Sequence, residues 1–172
     1  MQRMHGLTLI ELVVVLAVTA VLFGVGVPAW RSLTATSAVQ AHVSLFSQAI
    51  QTARMLAVTR NLPVTLCALD TAGTCSGNWG DNLTLFYDRE RDGHLGESDE
   101  RISDLLIPDG NRTDVRWQGF GRRHFLNARS NGTWRQNGRF TFCPRSAGTG
   151  HAGRELVVNV TGRTRSAPVT CP

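Results

Sequence analysis

The sequence predicts an α+β protein in which one long N-terminal helix is followed by short antiparallel strands. Three observations favour this class. Residues 12–29 contain no charged side chain, apolar positions recur at helical spacing over residues 39–57, and Gly, Asn, Asp and Ser divide the rest into short β-rich runs. At 172 residues, 42% hydrophobic and 18% charged, the chain is too apolar for disorder and holds one such helix plus a single domain.

The first element is an apolar helix over residues 7–29, in which Glu11 is the sole charged side chain. About 20 apolar residues in a helix cover the roughly 30 Å hydrocarbon core of a bilayer. We therefore expect a transmembrane helix. A cleaved secretory signal is the competing interpretation, but no small-residue cleavage site follows the run. An ionised carboxylate in such a segment is costly and indicates a function or a partner.

A second helical segment is predicted over residues 30–61. Its apolar positions repeat at alternating steps of four and three, which marks one face of a helix: Val39, Val43, Phe46, Ile50, Ala53 and Ala57. We expect this face to pack on a sheet. Asn61 and Pro63 should end the helix near Arg60.

The remaining residues, 62–172, form a β-rich domain. Runs with high strand propensity are bounded by turn residues, and they predict strands at 64–67, 83–87, 102–107, 139–143 and 155–161. No internal repeat is visible. One long helix followed by these strands gives the α+β class.

Basic charge is concentrated in the last third of the chain. All 18 basic residues are Arg, and ten of them follow residue 114, where Glu155 is the sole acid, giving +9. Residues 61–114 carry −7. Guanidinium groups bind phosphate well, so this distribution suggests a polyanionic partner, although a solvated face is the default interpretation of a charge run.

The segment Gly6-Leu7-Thr8-Leu9-Ile10-Glu11 resembles the type III signal of type IV pilins and type II secretion pseudopilins. In that signal a short basic leader ends in Gly and precedes an apolar helix with Glu at its fifth mature position. The resemblance implies that a prepilin peptidase removes residues 1–6 by cutting after Gly6, and that the new amino group of Leu7 is N-methylated. Leu7 departs from the usual Phe. Glu11 would act in filament assembly by meeting the amino terminus of a neighbouring subunit.

The resemblance extends along the chain to the GspH/FimT family of pseudopilins and minor pilins. It is carried by Ala53-Arg54, Ala57, Asn61, Val64, Cys67, Trp79-Gly80, Phe86, Asp88, Phe142-Cys143 and Gly162-Arg163. It implies a pilin-like two-sheet β-sandwich outside the bacterial inner membrane, anchored by a single-pass helix. The implied partners are prepilin peptidase, other pilin or pseudopilin subunits and the inner membrane, and the implied destination is a pilus or pseudopilus.

Four cysteines lie in this external domain, where disulfides persist: Cys67, Cys75, Cys143 and Cys171. Three pairings are possible. We favour Cys67 with Cys75, which closes a short Gly-containing loop, and Cys143 with Cys171, which ties the C-terminal tail to a strand. Zinc is the alternative, but the chain has no C-x-x-C pair.

The segment Gly162-Arg163-Thr164-Arg165 is the strongest candidate binding site. Arg residues two apart on an extended segment project to the same side, about 7 Å apart. The segment resembles the GRxR element of FimT-type minor pilins, which bind DNA during natural transformation. Further Arg positions that could extend the surface are Arg122, Arg123 and Arg139, interleaved with aromatic residues that are more often core than stacking platforms: Trp117, Phe120, Phe125 and Trp134.

The predicted function is therefore a minor pilin-like subunit that binds DNA through an Arg-rich face, electrostatically and without sequence specificity. The alternative is an assembly protein, either a GspH-like pseudopilin of type II secretion or a FimU-like pilin, with the same Arg face binding neighbouring subunits. The sequence leaves the filament machine and the position in the filament open.

Other motifs point to no catalysis, and we expect no enzymatic activity and no cofactor. The acidic run from Asp88 to Gly93 partly matches a calcium loop, but two Arg intrude and an acidic hairpin turn is favoured. The five His residues have no zinc-protease spacing, and no nucleophile elbow is present.

Overall fold

The computed structural model describes residues 9–107, 112–121, 124–145 and 151–171, apart from the side chains at 25–29 and 31–32. The chain divides into two compact units, Met1–Thr34 and Ala35–Pro172. The described elements are α1 (Leu9–Arg60), β1 (Val64–Cys67), β2 (Leu83–Tyr87), β3 (Glu100–Leu105), β4 (Thr113–Gly119), β5 (Leu126–Ala128), β6 (Gly138–Pro144), β7 (Ala152–Val158) and β8 (Thr164–Thr170).

In the first unit, α1 carries large apolar side chains that are exposed, from Leu9 at 82% to Phe23 at 71%. Across the described residues, no helix combines the length and hydropathy needed to cross a membrane. This differs from the span expected over residues 7–29. Positions 7 and 8 lie outside the described residues, as do the side chains of 25–29.

In the second unit, the predicted apolar face of α1 is confirmed. Every position of the face is at most 4% exposed: Val39, Val43, Phe46, Ile50, Ala53 and Ala57. These side chains belong to one core cluster that also contains residues of both sheets. The face therefore packs on sheets, as its spacing predicts.

The end of α1 is set by Asn61 and Leu62. Asn61 has a φ of 53°. Its backbone N–H donates to the carbonyl of Val58 at 3.3 Å, and the N–H of Leu62 donates to the carbonyl of Ala57 at 3.2 Å. These two bonds form a Schellman motif, in which a left-handed residue satisfies the last helical carbonyls. Asn adopts this conformation more readily than branched residues do. The predicted end near Arg60 is confirmed.

Eight described strands form two antiparallel sheets, with strand orders β3-β2-β1-β5 and β4-β6-β7-β8. The α+β prediction is confirmed. The predicted bounds of β1 and β2 agree with the structure, and β6 is one residue longer at each end than predicted. β3 and β7 both begin and end earlier than predicted, and β4, β5 and β8 were not predicted. β4 and β8 lie at the edges of their sheet, where polar residues are tolerated, so they lack a continuous apolar run.

Aromatic rings fill the core between α1 and the second sheet. The Phe46 ring lies 5.1 Å from that of Phe140 and 5.0 Å from that of Phe142, both edge-on. Trp79 packs edge-on against Phe140 at 4.7 Å, and Trp117 lies 4.5 Å from the same ring. Edge-to-face pairs add to the burial of apolar area. They fix the second sheet against the helix.

The acidic turn after β2 is organised by Asp88, which is fully buried. Its carboxylate accepts hydrogen bonds from the Thr65 hydroxyl at 2.7 Å and from the backbone N–H groups of Arg91, Asp92 and Gly93 at 2.6, 3.2 and 3.1 Å. These donors offset the cost of burying the charge. Within the described residues, no group of three or more potential metal ligands occurs.

Both favoured disulfides are present. Cys67 bonds Cys75, and Cys143 bonds Cys171. The second bridge links β6 to the residue that follows β8. It thereby ties the C-terminal end of the chain to the interior of the second sheet, as expected.

Candidate nucleic-acid interface

The GRxR segment lies at a tight turn between β7 and β8. Asn159 N–H donates to the carbonyl of Arg163 at 3.0 Å, and Gly162 N–H donates to the carbonyl of Asn159 at 2.9 Å. Arg163 belongs to the turn, and Arg165 is the second residue of β8. Both side chains are exposed.

The turn is anchored on α1 by side chains from the C-terminal part of the helix. Gln51 Nε2 lies 3.4 Å from Thr164 Oγ1 and donates to the carbonyl of Gly162 at 3.5 Å. The Ser47 and Thr164 hydroxyls lie 3.4 Å apart. These contacts fix the backbone between Arg163 and Arg165 against the helix.

Glycine is required at position 162 by the backbone conformation and by the neighbouring side chain. Its φ is 84°, and a Cβ at this position would lie 2.8 Å from Cδ and Nε of Arg54. The Arg54 Nε–H donates to the carbonyl of Gly132 at 2.9 Å, so this side chain is held directly above the turn. A residue with a side chain would strain the backbone and displace Arg54.

The outer face of the second sheet places the predicted Arg positions in rows. Val157 of β7 pairs with Arg139 of β6 on one side and with Arg165 of β8 on the other. Residues opposite each other in a ladder point to the same face, and strands are about 4.8 Å apart. Arg139 and Arg165 therefore lie on the same outer face, with their Cα atoms two strand spacings, or about 10 Å, apart.

Two Arg residues on this face have acidic partners. Arg139 pairs with Glu155 at 3.4 Å, and Arg116 pairs with Asp114 at 2.7 Å. These residues line a shallow pocket of about 190 Å³. Such exposed pairs contribute little stability, but they neutralise the two guanidinium groups.

Arg163 and Arg165 differ from these residues. Within the described part of the chain, neither guanidinium group has a hydrogen-bond or ion-pair partner. The structure therefore brings together two predicted site residues as available cations and places a third, Arg139, nearby in an ion pair. No local sequence signal indicates this ion pair, because Glu155 is brought to Arg139 by strand register alone.

The structure describes one of the other predicted site residues outside the disulfides. Gly6, Leu7, Arg122 and Arg123 are outside the described residues. Glu11 lies in the first turn of α1 and is exposed. The structure thus leaves the processing site and part of the Arg surface as predictions.

The interleaved aromatic residues are divided between core and surface. Trp134 and Phe125 are buried, and Trp117 packs against the core, as expected for aromatic residues in general. Phe120 is the exception, because its side chain is 86% exposed. Only the tertiary structure separates it from the other three.

Among the described groups, Asp104 has a clearly shifted pKa, and it lies on the first sheet, away from the GRxR turn. The Thr84 hydroxyl donates to the Asp104 carboxylate at 2.7 Å, and this bond, followed by the adjacent Arg101, lowers the pKa of Asp104 against the opposing effect of burial. Asp104 belongs to the edge strand β3. The shift is structural and has no part in the Arg surface.

An N-terminal helix, two antiparallel sheets and a prepilin-like signal define a pilin-type subunit. A family model described as type II transport protein GspH matches residues 42–162, and a second, the prokaryotic N-terminal methylation motif, matches residues 1–27. The chain belongs to the GspH family, as its sequence predicts. The matched motif implies processing by a prepilin peptidase and assembly with other subunits.

Solved structures with the same fold include minor pilins and pseudopilins. The type IV minor pilin FimU of Pseudomonas aeruginosa matches in two crystal forms, with TM-scores of 0.57 and 0.53, identities of 18% and 20%, and coverage of 76% and 75% of this chain and 88% and 92% of FimU. The minor pseudopilin EpsH of the Vibrio cholerae type 2 secretion system has a TM-score of 0.50 at 11% identity, covering 75% of this chain and 95% of EpsH. A search of curated proteins found no match.

Proposed function

We propose that this chain is a minor pilin-like subunit that binds DNA through Arg163 and Arg165 for uptake in natural transformation. The single observation that carries the proposal is the contrast between these two exposed, unpaired guanidinium groups and the neutralised Arg116 and Arg139 on the same sheet, all within the described residues. DNA binding requires cations that can replace counterions on the phosphates. Arg163 and Arg165 meet that requirement without first losing a carboxylate partner.

The anchored turn adds to this argument. Gln51 and Thr164 hold the backbone on α1, and Gly162 allows the close packing of Arg54. A fixed backbone lowers the ordering cost when the two side chains bind phosphates. The proposed contacts are to phosphates, which carry no sequence information, so binding is expected to be independent of sequence.

The test is titration of the full-length chain, purified in mild detergent, with fluorescently labelled DNA at several salt concentrations. The Arg163→Gln/Arg165→Gln variant should lose at least about tenfold in affinity, and the slope of log K against log[salt] should fall by about 1 for each phosphate contact removed. The matched control is Arg60→Gln/Arg101→Gln, which removes the same charge from α1 and the first sheet. Equal affinity of the parent and the Arg163/Arg165 variant refutes DNA binding at this site.

The likeness to FimU and EpsH supports a second candidate, a pilus-assembly subunit or a pseudopilin of type II secretion. In that case Arg163 and Arg165 pair with acidic residues of a neighbouring subunit. A deletion strain scored for DNA uptake, protein secretion and twitching separates the two. Loss of uptake alone favours the DNA receptor, whereas loss of secretion or twitching with uptake intact favours assembly.

We further propose that the chain is anchored in the bacterial inner membrane by residues 7–29, with its second unit in the periplasm, until it joins a filament. The exposed apolar side chains of residues 9–23 and the match to the methylation motif support this. Glu11 is then neutralised by the free amino terminus of an adjacent subunit. Purified native protein should begin at Leu7, and Glu11→Val should insert into the membrane but fail to join filaments. A chain that still begins at Met1 contradicts the proposal.

A further inference from the structure

We propose that the preferred ligand of this surface is single-stranded DNA and that Phe120 is a stacking platform for one of its bases. The inference rests on the proposed function, because Arg163 and Arg165 supply the phosphate contacts. It adds a residue and a ligand class that the Arg pair alone does not specify. Its basis is the place of Phe120 in the second sheet.

Phe120 lies at the same end of the second sheet as the GRxR turn. β4 ends at Gly119, which pairs with Gly138 at the start of β6. Gly138 in turn pairs with Val158 at the end of β7, which pairs with Thr164 at the start of β8. The residue after β4 and the turn before β8 are therefore at one end of the sheet.

Hydrogen bonds extend this end by one further row. The Phe120 N–H donates to the carbonyl of Asn137 at 3.0 Å, and the Asn159 N–H donates to that of Arg163 at 3.0 Å. Phe120 and Arg163 thus occupy the two outer positions of a four-strand row. Three strand spacings separate them by about 14 Å, a distance that a few nucleotides of an extended strand cover.

The Phe120 ring is the most exposed of the large apolar side chains described in the second unit, at 86%. It takes no part in the aromatic cluster around Phe140. Leaving a Phe side chain in water forgoes the favourable free energy of burying its apolar area. An exposed aromatic ring at one end of a row whose other end carries the unpaired Arg163 has the features of a surface that stacks bases.

The backbone that carries Phe120 is fixed by Trp117. The indole lies so close to the sheet that a Cβ on Gly119 would be 2.5 Å from it, and a Cβ on Gly138 would be 2.7 Å from it. Glycine at both positions of this cross-strand pair lets Trp117 pack inward. The segment just before Phe120 is thereby held against the core, which is what a stacking platform needs.

The charges next to Phe120 favour an anionic ligand. The end row contains Phe120, Asn137, Asn159 and Arg163, and two rows further along the sheet, with one row between them, are Gln118, Arg139, Val157 and Arg165. Neither row includes a carboxylate. Glu155 lies further along the sheet and is paired with Arg139, so the available positive charge of these rows is that of Arg163 and Arg165. A ligand that is both anionic and aromatic fits these rows. In duplex DNA the bases are already stacked, so an unpaired strand offers them more readily.

The experiment uses the full-length chain in mild detergent and three probes of equal length: a labelled oligothymidine, the same oligomer with abasic sites, and a duplex. The variants are Phe120→Ala and Phe120→Trp. Leu106→Ala is the matched control, because Leu106 is 74% exposed but follows β3 of the first sheet. Thermal melting of each variant checks folding, and Phe120 is too exposed for its removal to create a cavity.

We expect Phe120→Ala to weaken oligothymidine binding by about 5- to 100-fold, the range for loss of one stacked base. Binding of the abasic and duplex probes should change by less than about twofold, Phe120→Trp should bind oligothymidine at least as tightly as the parent, and Leu106→Ala should behave as the parent does.

Three outcomes overturn the inference. The first is that Phe120→Ala binds oligothymidine as tightly as the parent does. The second is that Phe120→Ala weakens the binding of all three probes equally. The third is that Phe120→Ala changes only the self-association of the protein, as measured by sedimentation. If Arg163→Gln/Arg165→Gln loses affinity for DNA while Phe120→Ala keeps the affinity of the parent, the stacking inference is refuted and the proposed function stands. If the Arg variant binds every probe as the parent does, the proposed function fails.

Discussion

Replacing Gly162 with Ala tests how the GRxR turn is built. An L-residue with a side chain at a φ of 84° costs about 1–2 kcal/mol in the left-handed region. The added Cβ would also lie 2.8 Å from Cδ and Nε of Arg54, which must then move from its 2.9 Å hydrogen bond to the carbonyl of Gly132. Loss of that bond to a charged donor adds about 1.5–3 kcal/mol. The expected loss in the free energy of unfolding is about 2.5–5 kcal/mol.

The assay is urea unfolding of the full-length chain in mild detergent, followed by circular dichroism. The matched control is Gly121→Ala, because Gly121 has a φ of 77° but no atom lies within 4 Å of the place that its Cβ would occupy. It should lose only the backbone contribution of about 1–2 kcal/mol. The difference between the two variants isolates the steric contact with Arg54.

A double-mutant cycle completes the test. In an Arg54→Ala background the steric contact is absent, so the cost of Gly162→Ala should fall to that of Gly121→Ala. Equal destabilisation by Gly162→Ala and Gly121→Ala in the parent chain would refute the packing argument. It would leave backbone conformation as the sole reason for glycine in the turn.

The remaining predictions concern the two disulfides, the core and acid stability. Opening Cys143–Cys171, which spans 28 residues, should lower the free energy of unfolding by about 3.5 kcal/mol in the chain-entropy account. Opening Cys67–Cys75, which spans 8 residues, should lower it by about 2.5 kcal/mol. Urea unfolding of the two paired Cys→Ser variants measures both losses, and a larger loss for Cys67–Cys75 would contradict this account. Phe46→Ala should cost about 3–5 kcal/mol because its fully buried ring contacts Phe140 and Phe142, whereas Met55→Ala, at a position 59% exposed on the same helix, should change the midpoint little. The Thr84 hydrogen bond, with Arg101, holds the pKa of Asp104 below its ordinary 3.8, so this carboxylate adds stability above that pH and loses it as the pH falls through the folded-state pKa. Thr84→Val should raise the Asp104 pKa in an NMR titration, and an unchanged value would exclude the hydrogen bond as its main cause. The stability effect should be small, since the Asp104 side chain is 48% exposed.

Elements specified by local pattern were predictable. The buried face of α1 follows from a spacing of four and three, and the end of the helix follows from Asn61 and Pro63. β1 and β2 were located because they are continuous runs of apolar and β-prone residues whose every position is buried. The disulfide pairs were inferred from loop length and chain position.

Elements that depend on contacts with residues far away in the sequence were not predictable. β8 begins with three polar residues and contains Pro168, a sequence that is tolerated in a strand because β8 lies at the edge of its sheet. The candidate site shows the same limit. The sequence identified Arg163 and Arg165, but Gln51 and Thr164 meet across more than a hundred positions, and no local signal connects them.

By itself, the sequence determined the class of protein, the helix with its apolar face, the central strands and the Arg-rich last third, because each of these depends on residue type and short-range spacing. Only the tertiary structure decided which charges are available. Strand register placed Glu155 beside Arg139 and left Arg163 and Arg165 without a described partner. Packing buried Trp134 and exposed Phe120. Electrostatic pairing and burial depend on distances between residues far apart in the chain, and those distances are set when the sheets assemble on the helix.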